Sequence, residues 1–166
     1  LYDKLVHFFK EEFQTLTGLS HPNLAKAYGF GFWREHFYYT AEFVDGVPIA
    51  EYLVGKEPSA MLPIFIQALE GLDFIHKSGL IHLDIKSENV LVQNADGKPV
   101  VKIIDFGLAT TPSDYGGEFL GSIPYIAPEV ALGIKGQVDR ISDLFSFGVL
   151  MYFCLTGKTF YMASTV

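Results

Sequence analysis

HLDIKSENVL, residues 82–91, places Asp84, Lys86 and Asn89 within six positions and sets them between apolar neighbours. A lone loop aspartate is usually solvated, and a lone lysine usually belongs to the protein surface. The three residues therefore indicate a function only if adjoining segments of the sequence supply residues that suit the same chemistry. The segment that follows them in the sequence supplies such a partner.

A β-hairpin is predicted directly after this stretch. Residues 90–93 and 100–104 form two apolar segments around NADGKP. The Asp96-Gly97 pair between them is a strong signal for a two-residue turn. Folding the two segments symmetrically about that turn sets Gln93 opposite Val100, so the open end of the hairpin lies at its first and last residues.

The open end of this hairpin brings oxygen atoms together. Continuing the pairing puts Asn89 opposite Ile104, and Asp105 follows at once, so an amide and a carboxylate lie close in space. Oxygen ligands of this kind suit a hard cation such as Mg²⁺, which takes its other ligands from water and substrate phosphates. Asp84 lies on the loop that leads into the same end, with Lys86 beside it.

These four residues together suit phosphoryl transfer. Asp84 is placed to accept or orient the proton of an attacking hydroxyl, and Lys86 to offset charge on a transferring phosphoryl group. Asn89 and Asp105 are placed to hold metal ions that bridge the phosphates. The catalytic candidates are therefore Asp84, Lys86 and Asn89, and the metal-binding candidates are Asn89 and Asp105.

Three motifs, in this order, resemble the protein kinase family. HLDIKSEN resembles the catalytic loop, in which Asp follows His-Arg and Asn follows after four further residues. DFG at residues 105–107 resembles the metal-binding turn, and APE at residues 127–129 resembles the end of the activation segment. The resemblance covers about residues 8–159, which is almost the whole chain.

The resemblance implies an α+β, protein-kinase-like fold in two parts. Residues 1–43 would be a remnant of the N-lobe, with the family's αC helix and its fourth and fifth strands. Residues 44–166 would be a partial, mainly helical C-lobe that runs through the family's αF helix. Apolar periodicity predicts helices over about 5–19, 59–77 and 142–155, and aromatic-rich strands over 24–32 and 36–43. For the second helix it predicts Ser59 as N-cap and a buried stripe of Leu62, Phe65, Ile66, Leu69, Leu72 and His76.

The resemblance also implies roles for single residues. Glu12, which falls on the apolar stripe of the first helix, would be the αC glutamate, and Ala41 the small gatekeeper of the nucleotide pocket. Asp143 would brace the catalytic-loop backbone, while Ser122 and Glu129 belong to GSIPYIAPE, the stretch that docks the substrate. The implied cofactors are ATP and Mg²⁺ or Mn²⁺. The residues implied to bind them are Glu42 and Val44 through hinge backbone, Leu91 under the adenine ring, and Lys86, Asn89 and Asp105.

Two departures from the family pattern matter. No Gly-rich loop and no lysine of the family's third strand precede the first helix, so Glu12 lacks its family partner within the sequence. We expect a domain truncated at both ends, inactive as this piece alone, with regulatory domains elsewhere in the parent chain. Leu83 replaces the Arg that receives a phosphorylated activation loop. Since leucine makes no charge-assisted bond to phosphate, we expect activity that does not need phosphorylation read through this position.

Composition limits the partners. The 166 residues include 12 Lys or Arg and 19 Asp or Glu, a net charge of −7, without the basic surface typical of nucleic-acid binders. The longest nearly apolar run, residues 144–155, is too short for a membrane span. A single cysteine, Cys154, excludes an internal disulfide framework and suits a buried, inert thiol. No secretory signal opens the chain, and we expect a cytoplasmic protein or the cytoplasmic part of a larger one.

The resemblance favours an ATP-dependent serine/threonine protein kinase, because Lys86 two residues after Asp84 is typical of enzymes that phosphorylate Ser or Thr hydroxyls in proteins. Two alternatives remain open. A pseudokinase scaffold, which binds partners or nucleotide without phosphoryl transfer, would not need Asp84, Lys86, Asn89 and Asp105 together. A small-molecule kinase on a related fold would not need GSIPYIAPE, because that segment serves to present a peptide.

Overall fold

The computed structural model describes residues 17–34 and 36–161. The strands in these ranges are β1 (Ala27–Trp33), β2 (His36–Ala41), β3 (Gly46–Pro48), β4 (Val90–Ala95) and β5 (Lys98–Ile103). The helices are α1 (Ile49–Leu53), α2 (Pro58–Lys77), α3 (Pro128–Ala131) and α4 (Arg140–Thr156), and a 3-10 turn covers Ser87–Asn89. This mixture confirms the predicted α+β class. Most of the predicted first helix, with Glu12, lies outside the described residues.

Strands β1 and β2 form an antiparallel pair that ends at the hinge. Phe30 pairs with Tyr39, and a register shift between Ala27 and Gly29 bends the start of the pair. Because side chains alternate across a strand, Tyr39 and Ala41 lie on the same face of β2. That face is the one that turns toward the nucleotide-sized cavity described below.

A separate three-stranded sheet has the order β3-β4-β5 and contains the predicted hairpin. Gln93 pairs with Val100, which confirms the predicted register. Asp96 and Gly97 form the turn with φ values of +52° and +81°, the left-handed conformation of a type I′ turn. Strand β3 was not predicted; it begins at Gly46. Its missing side chain permits pairing, since a Cβ there would lie 2.9 Å from the Val92 carbonyl oxygen.

Helix α2 begins and faces differently from the prediction. Its N-cap residue is Glu57, two residues before the predicted Ser59, so Ser59 as N-cap is wrong. Pro58 takes the first helical position, where its fixed φ suits the helix. The predicted stripe is also wrong in part, since Leu62 and Ile66 are exposed. The helix instead buries a face that carries small residues, including Gly71, where a Cβ would lie 3.2 Å from Ile103 of β5. Close approach to the sheet therefore decided which face was buried.

Helix α4 packs its apolar side against α2. Asp139 caps its start and Ser142 completes the capping box, so the helix begins at Arg140, two residues before the predicted start. Gly157, with φ +67°, ends it. Phe147 contacts Phe65 of α2 edge to face, with ring centroids 6.2 Å apart. No helix within the described ranges is both long and apolar enough to cross a membrane.

The buried residues divide into two clusters. The larger one lies between α2, α4 and the β4-β5 hairpin. The smaller one lies beneath the loop that contains Leu83, and its buried members are Ile81, Leu83, Tyr115, Ala127, Val130 and Val138. The loop that carries Asp84 is thereby held between two packed bodies, which limits its movement.

Candidate active site

Asp143, in the first turn of α4, holds the loop that precedes Asp84. Its Oδ2 accepts the His82 backbone N–H and its Oδ1 accepts the Leu83 backbone N–H, each at 2.8 Å. The ring of His76 also contacts Oδ2, at 2.8 Å. Asp143 is fully buried, and Leu83 has φ +63°, a conformation that a leucine adopts only when its surroundings impose it. These hydrogen bonds and the packing of Leu83 provide that restraint.

Asp84 lies at the centre of a polar network. Its Oδ1 accepts from Ser122 Oγ at 2.8 Å, and its Oδ2 accepts from Lys86 Nζ at 2.7 Å and Asn89 Nδ2 at 2.9 Å. Lys86 Nζ also donates to Ser122 Oγ at 3.0 Å. Burial alone would raise the pKa of Asp84, but the hydrogen bonds from Lys86 and Ser122 outweigh it and lower the pKa. The carboxylate is therefore ionised at neutral pH.

The open end of the hairpin carries Asn89 and Asp105, as predicted. The Ile104 N–H donates to the Asn89 carbonyl at 2.9 Å, which confirms that Asn89 faces Ile104. The Asn89 Nδ2 donates to the Asp84 backbone oxygen and carboxylate, both at 2.9 Å. Within residues 17–34 and 36–161, no group donates to the Asn89 side-chain oxygen, which leaves it available as a ligand.

Asp105 is exposed and sits at φ +61°. Its Oδ1 accepts the Gly107 N–H at 3.2 Å and the Tyr39 hydroxyl at 3.3 Å. One amide oxygen and one carboxylate fit Mg²⁺, which keeps few protein ligands and fills its shell with water and phosphate oxygens. Among the described side chains, no group of three or more His, Cys, Asp or Glu residues could hold a metal ion instead.

His82 joins the loop to the hairpin. Its Nδ1 accepts the Asp84 N–H at 3.3 Å, so its Nε2 carries the proton and donates to the Ile104 carbonyl at 3.3 Å. Burial lowers the pKa of this imidazole despite nearby carboxylates, which favours the neutral form. The ring lies 5.4 Å from that of Phe106, which adjoins Asp105.

A cavity of about 420 Å³ opens beside Asp105. Its apolar walls include Ala25, Ala27, Ala41, Val44, Leu91 and Phe106. The Glu42 carbonyl and the Val44 N–H have no hydrogen-bond partner among the residues described, so both can pair with a planar ring edge. The cavity therefore joins an apolar slot with free hinge backbone to the carboxylate of Asp105, as the predicted nucleotide site requires.

The Glu42 side chain serves the hinge itself. Its carboxylate accepts from Lys102 Nζ at 3.0 Å and from the Lys26 N–H at 3.1 Å. Burial opposes ionisation, yet the Lys26 and Lys102 hydrogen bonds together lower the pKa of Glu42. The predicted binding role of Glu42 thus concerns only its backbone, because the side chain is committed to joining the hinge to strand β5.

The segment between Asp105 and Glu129 packs against the loop that carries Asp84. Tyr115 is buried in the smaller cluster and donates from its hydroxyl to the Glu118 carbonyl at 2.6 Å. Glu129, in α3, accepts a short hydrogen bond from the Ser142 hydroxyl at the start of α4. Leu83 lies in the same apolar cluster as Tyr115 and is 6 % exposed.

The structure thus brings together nearly all the predicted site residues that it describes. Asp84, Lys86, Asn89 and Ser122 form one network, and Asp105 lies at the hairpin end beside the cavity. Three participants were missed: His82, Tyr39 and Lys102. The first belongs to the quoted motif, and Tyr39 could have been found because it shares a strand face with Ala41. Nothing local signals the Lys102–Glu42 pair, whose members are 60 residues apart in the chain.

Comparison with known proteins agrees with this geometry. The family model "Protein kinase domain" matches residues 3–166. The serine/threonine-protein kinase pkn2 of Myxococcus xanthus is 36% identical over 159 residues, which cover 90% of this chain and 19% of that protein. PrkC of Bacillus subtilis (strain 168) is 29% identical over 163 residues, covering 94% and 24%. CBL-interacting protein kinase 17 of Oryza sativa subsp. japonica is 36% identical over 156 residues, covering 89% and 34%.

The chain therefore spans about a fifth to a third of the length of these relatives. The family match is not limited to one motif, since it extends over almost every residue of this chain. It includes HLDIKSEN, DFG and APE, and the DFG residues 105–107 line the cavity. On this match and on the geometry of the site, the chain belongs to the protein kinase domain family.

Proposed function

We propose that this chain is the catalytic part of a serine/threonine protein kinase, which transfers the γ-phosphoryl group of ATP to a Ser or Thr hydroxyl of a protein. The observation that carries the proposal is the network in which Lys86, Asn89 and Ser122 all donate to the carboxylate of Asp84. The relatives pkn2 and PrkC, both named serine/threonine-protein kinases, support the same substrate class.

Asp84 would orient the attacking hydroxyl. A carboxylate offers about four acceptor positions, and the three side-chain donors leave one of them for the substrate O–H. Because hydrogen bonds lower its pKa, Asp84 is a weak base and acts first by positioning the hydroxyl. The hydroxyl oxygen forms a bond to the γ-phosphorus as the bond to the ADP oxygen breaks, and the hydroxyl proton passes to Asp84.

Ser122 and Gly121 would bring the peptide-docking stretch to this carboxylate. Ser122 bonds both Asp84 and Lys86, so the stretch and the catalytic loop are fixed together. Gly121 has φ +96°, and a Cβ at this position would lie 2.4 Å from the Leu83 carbonyl oxygen. The close contact that glycine permits would bring this segment beside the reacting centre, which supports a peptide substrate over a small molecule.

Asn89 and Asp105 would hold Mg²⁺, through an amide oxygen and a carboxylate oxygen. When bound, the cation would neutralise charge on the phosphates of ATP. The adenine ring would lie in the apolar slot between Ala41 and Leu91, with its edge against the Glu42 carbonyl and Val44 N–H. Lys86, hydrogen-bonded within the same network, would supply a positive charge near the transferring group.

The activation segment would be held by apolar packing. Leu83 offers no cation to a phosphate and instead packs in a cluster that includes Tyr115 of the activation segment. Thr110 and Tyr115 are buried, whereas Thr111 and Ser113 are partly or fully exposed to solvent. Activity would therefore not require a phosphate read through position 83.

The test is ATP-dependent labelling of a peptide or protein substrate by the full-length protein, with analysis of which amino acid carries the phosphate. Phosphoserine or phosphothreonine is expected. Asp105→Asn should lower the transfer rate at least about 100-fold, whereas Asp73→Asn, the same change on an exposed part of α2, should leave it unchanged. Undiminished turnover in Asp105→Asn contradicts the metal assignment, and nucleotide binding without any transfer favours the scaffold alternative.

A further inference from the structure

Tyr39 lies on the strand that leads into the hinge, on the face that turns toward the cavity. It lines the cavity together with Ala41 and Asp105. Its neighbour Tyr38 points to the opposite face of β2, where its side chain lies next to Gly31. Of these two adjacent tyrosines, only Tyr39 therefore faces the cavity.

The Tyr39 hydroxyl contacts the carboxylate already assigned to metal binding. It donates to Asp105 Oδ1 at 3.3 Å, across 66 residues of chain. The Gly107 N–H donates to the same oxygen at 3.2 Å. In the part of the chain that the structure describes, Asp105 Oδ2 accepts no hydrogen bond, so the two donors occupy one oxygen and leave the other available.

Asp105 needs such a restraint. It is exposed, and its backbone lies at φ +61°, a left-handed conformation. Gly107 is only two residues away and belongs to the same turn, so it moves with Asp105. Tyr39 is different, because its backbone is paired in the β1–β2 sheet and its ring reaches the turn from a separate element. Partners of this kind orient a ligating carboxylate, and their loss typically lowers metal affinity 10–100-fold.

We propose that Tyr39 is a positioning residue of this site, whose hydroxyl orients Asp105 for the metal ion that accompanies ATP. The inference rests on the proposed function and adds to it a residue outside the three motifs. It makes the strand before the hinge a part of the metal site. Its effect should be visible in metal-dependent nucleotide binding, without any measurement of catalysis.

The experiment is calorimetric titration of the full-length protein with ADP, in Mg²⁺ and again in EDTA. Tyr39→Phe keeps the ring and removes only the hydroxyl, so the fold should be preserved, as thermal unfolding would verify. We expect about tenfold weaker ADP affinity in Mg²⁺ and an unchanged affinity in EDTA. Tyr38→Phe is the matched control and should behave as wild type in both conditions. In an Asp105→Asn background, Tyr39→Phe should cause no further loss.

The possible outcomes distinguish a failure of this inference from a failure of the proposed kinase function. Wild-type affinity of Tyr39→Phe in both conditions overturns the inference and leaves the proposed kinase function intact. An equal loss in Mg²⁺ and in EDTA also overturns it, because the hydroxyl would then act on the nucleotide or the cavity wall. Failure of the wild-type protein to bind ADP more tightly in Mg²⁺ than in EDTA contradicts the proposed metal site itself, and this inference with it.

Discussion

Replacing Asp143 with asparagine should loosen the loop that carries Asp84 more than the small change in side-chain shape suggests. The carboxylate is completely buried and accepts from His82 N, Leu83 N and His76 Nε2, each at 2.8 Å. Asparagine keeps one acceptor oxygen and turns an amide donor toward one of the two backbone N–H groups. One buried N–H then loses its partner, and the remaining hydrogen bonds lose the charge that strengthened them. Hydrogen bonds to a charged group contribute about 1.5–3 kcal/mol each, so we expect a loss of about 3–5 kcal/mol.

Urea unfolding of the full-length protein would measure the overall loss, and amide hydrogen exchange of peptides covering residues 80–86 would locate it. A loss of about 3 kcal/mol corresponds to exchange at least about 100-fold faster at the His82 and Leu83 amides. The matched control is Asp73→Asn, since Asp73 pairs with Lys77 on the exposed face of α2 and should contribute less than about 0.5 kcal/mol. Exchange of residues 80–86 in Asp143→Asn that equals wild type would refute the reasoning.

Three further outcomes follow from how exposed or buried these side chains are. Substituting Thr111 and Ser113 with alanine should leave the transfer rate within about twofold of wild type, whereas Leu83→Ala should destabilise the protein by about 2–5 kcal/mol. Loss of activity in the double alanine variant would show that phosphorylation of this segment controls activity through a residue other than Leu83. Burial also raises the pKa of the Cys154 thiol to about 11, so this cysteine should react with a thiol reagent at pH 8 far more slowly in folded than in urea-unfolded protein. Equal labelling rates at this position would contradict its placement.

The parts of the site that were predicted from sequence are those fixed by local geometry. The Asp96-Gly97 turn determines the register of β4 and β5, and that register alone brings Asn89 beside Asp105. The motif spacing likewise keeps Asp84, Lys86 and Asn89 on one short loop. Few residue pairs other than Asp-Gly and similar pairs suit a two-residue turn with positive φ. The turn and the strand register could therefore be inferred without knowledge of the rest of the fold.

The parts that were missed depend on contacts between distant elements. The apolar residues of α2 allow two overlapping faces, and the buried one includes Gly71, which packs closely against Asn23 and against Ile103 of β5. Strand β3 exists because β4 offers it a free edge, which nothing near Gly46 indicates. The Tyr39–Asp105 hydrogen bond depends on how the β1–β2 pair is placed above the hairpin, so chain spacing alone could not predict it.

The most direct test of the central claim is the effect of Asp84→Asn on the full-length protein. The rate of phosphoryl transfer and the affinity for Mg²⁺-ADP would be measured separately. Asparagine preserves the size of the side chain and much of its contact with Ser122, but removes the charge that, in the proposed function, would orient the attacking hydroxyl. The account predicts a fall in kcat of at least about 100-fold, with nucleotide affinity within about twofold of wild type. Turnover by Asp84→Asn at the wild-type rate would contradict the account.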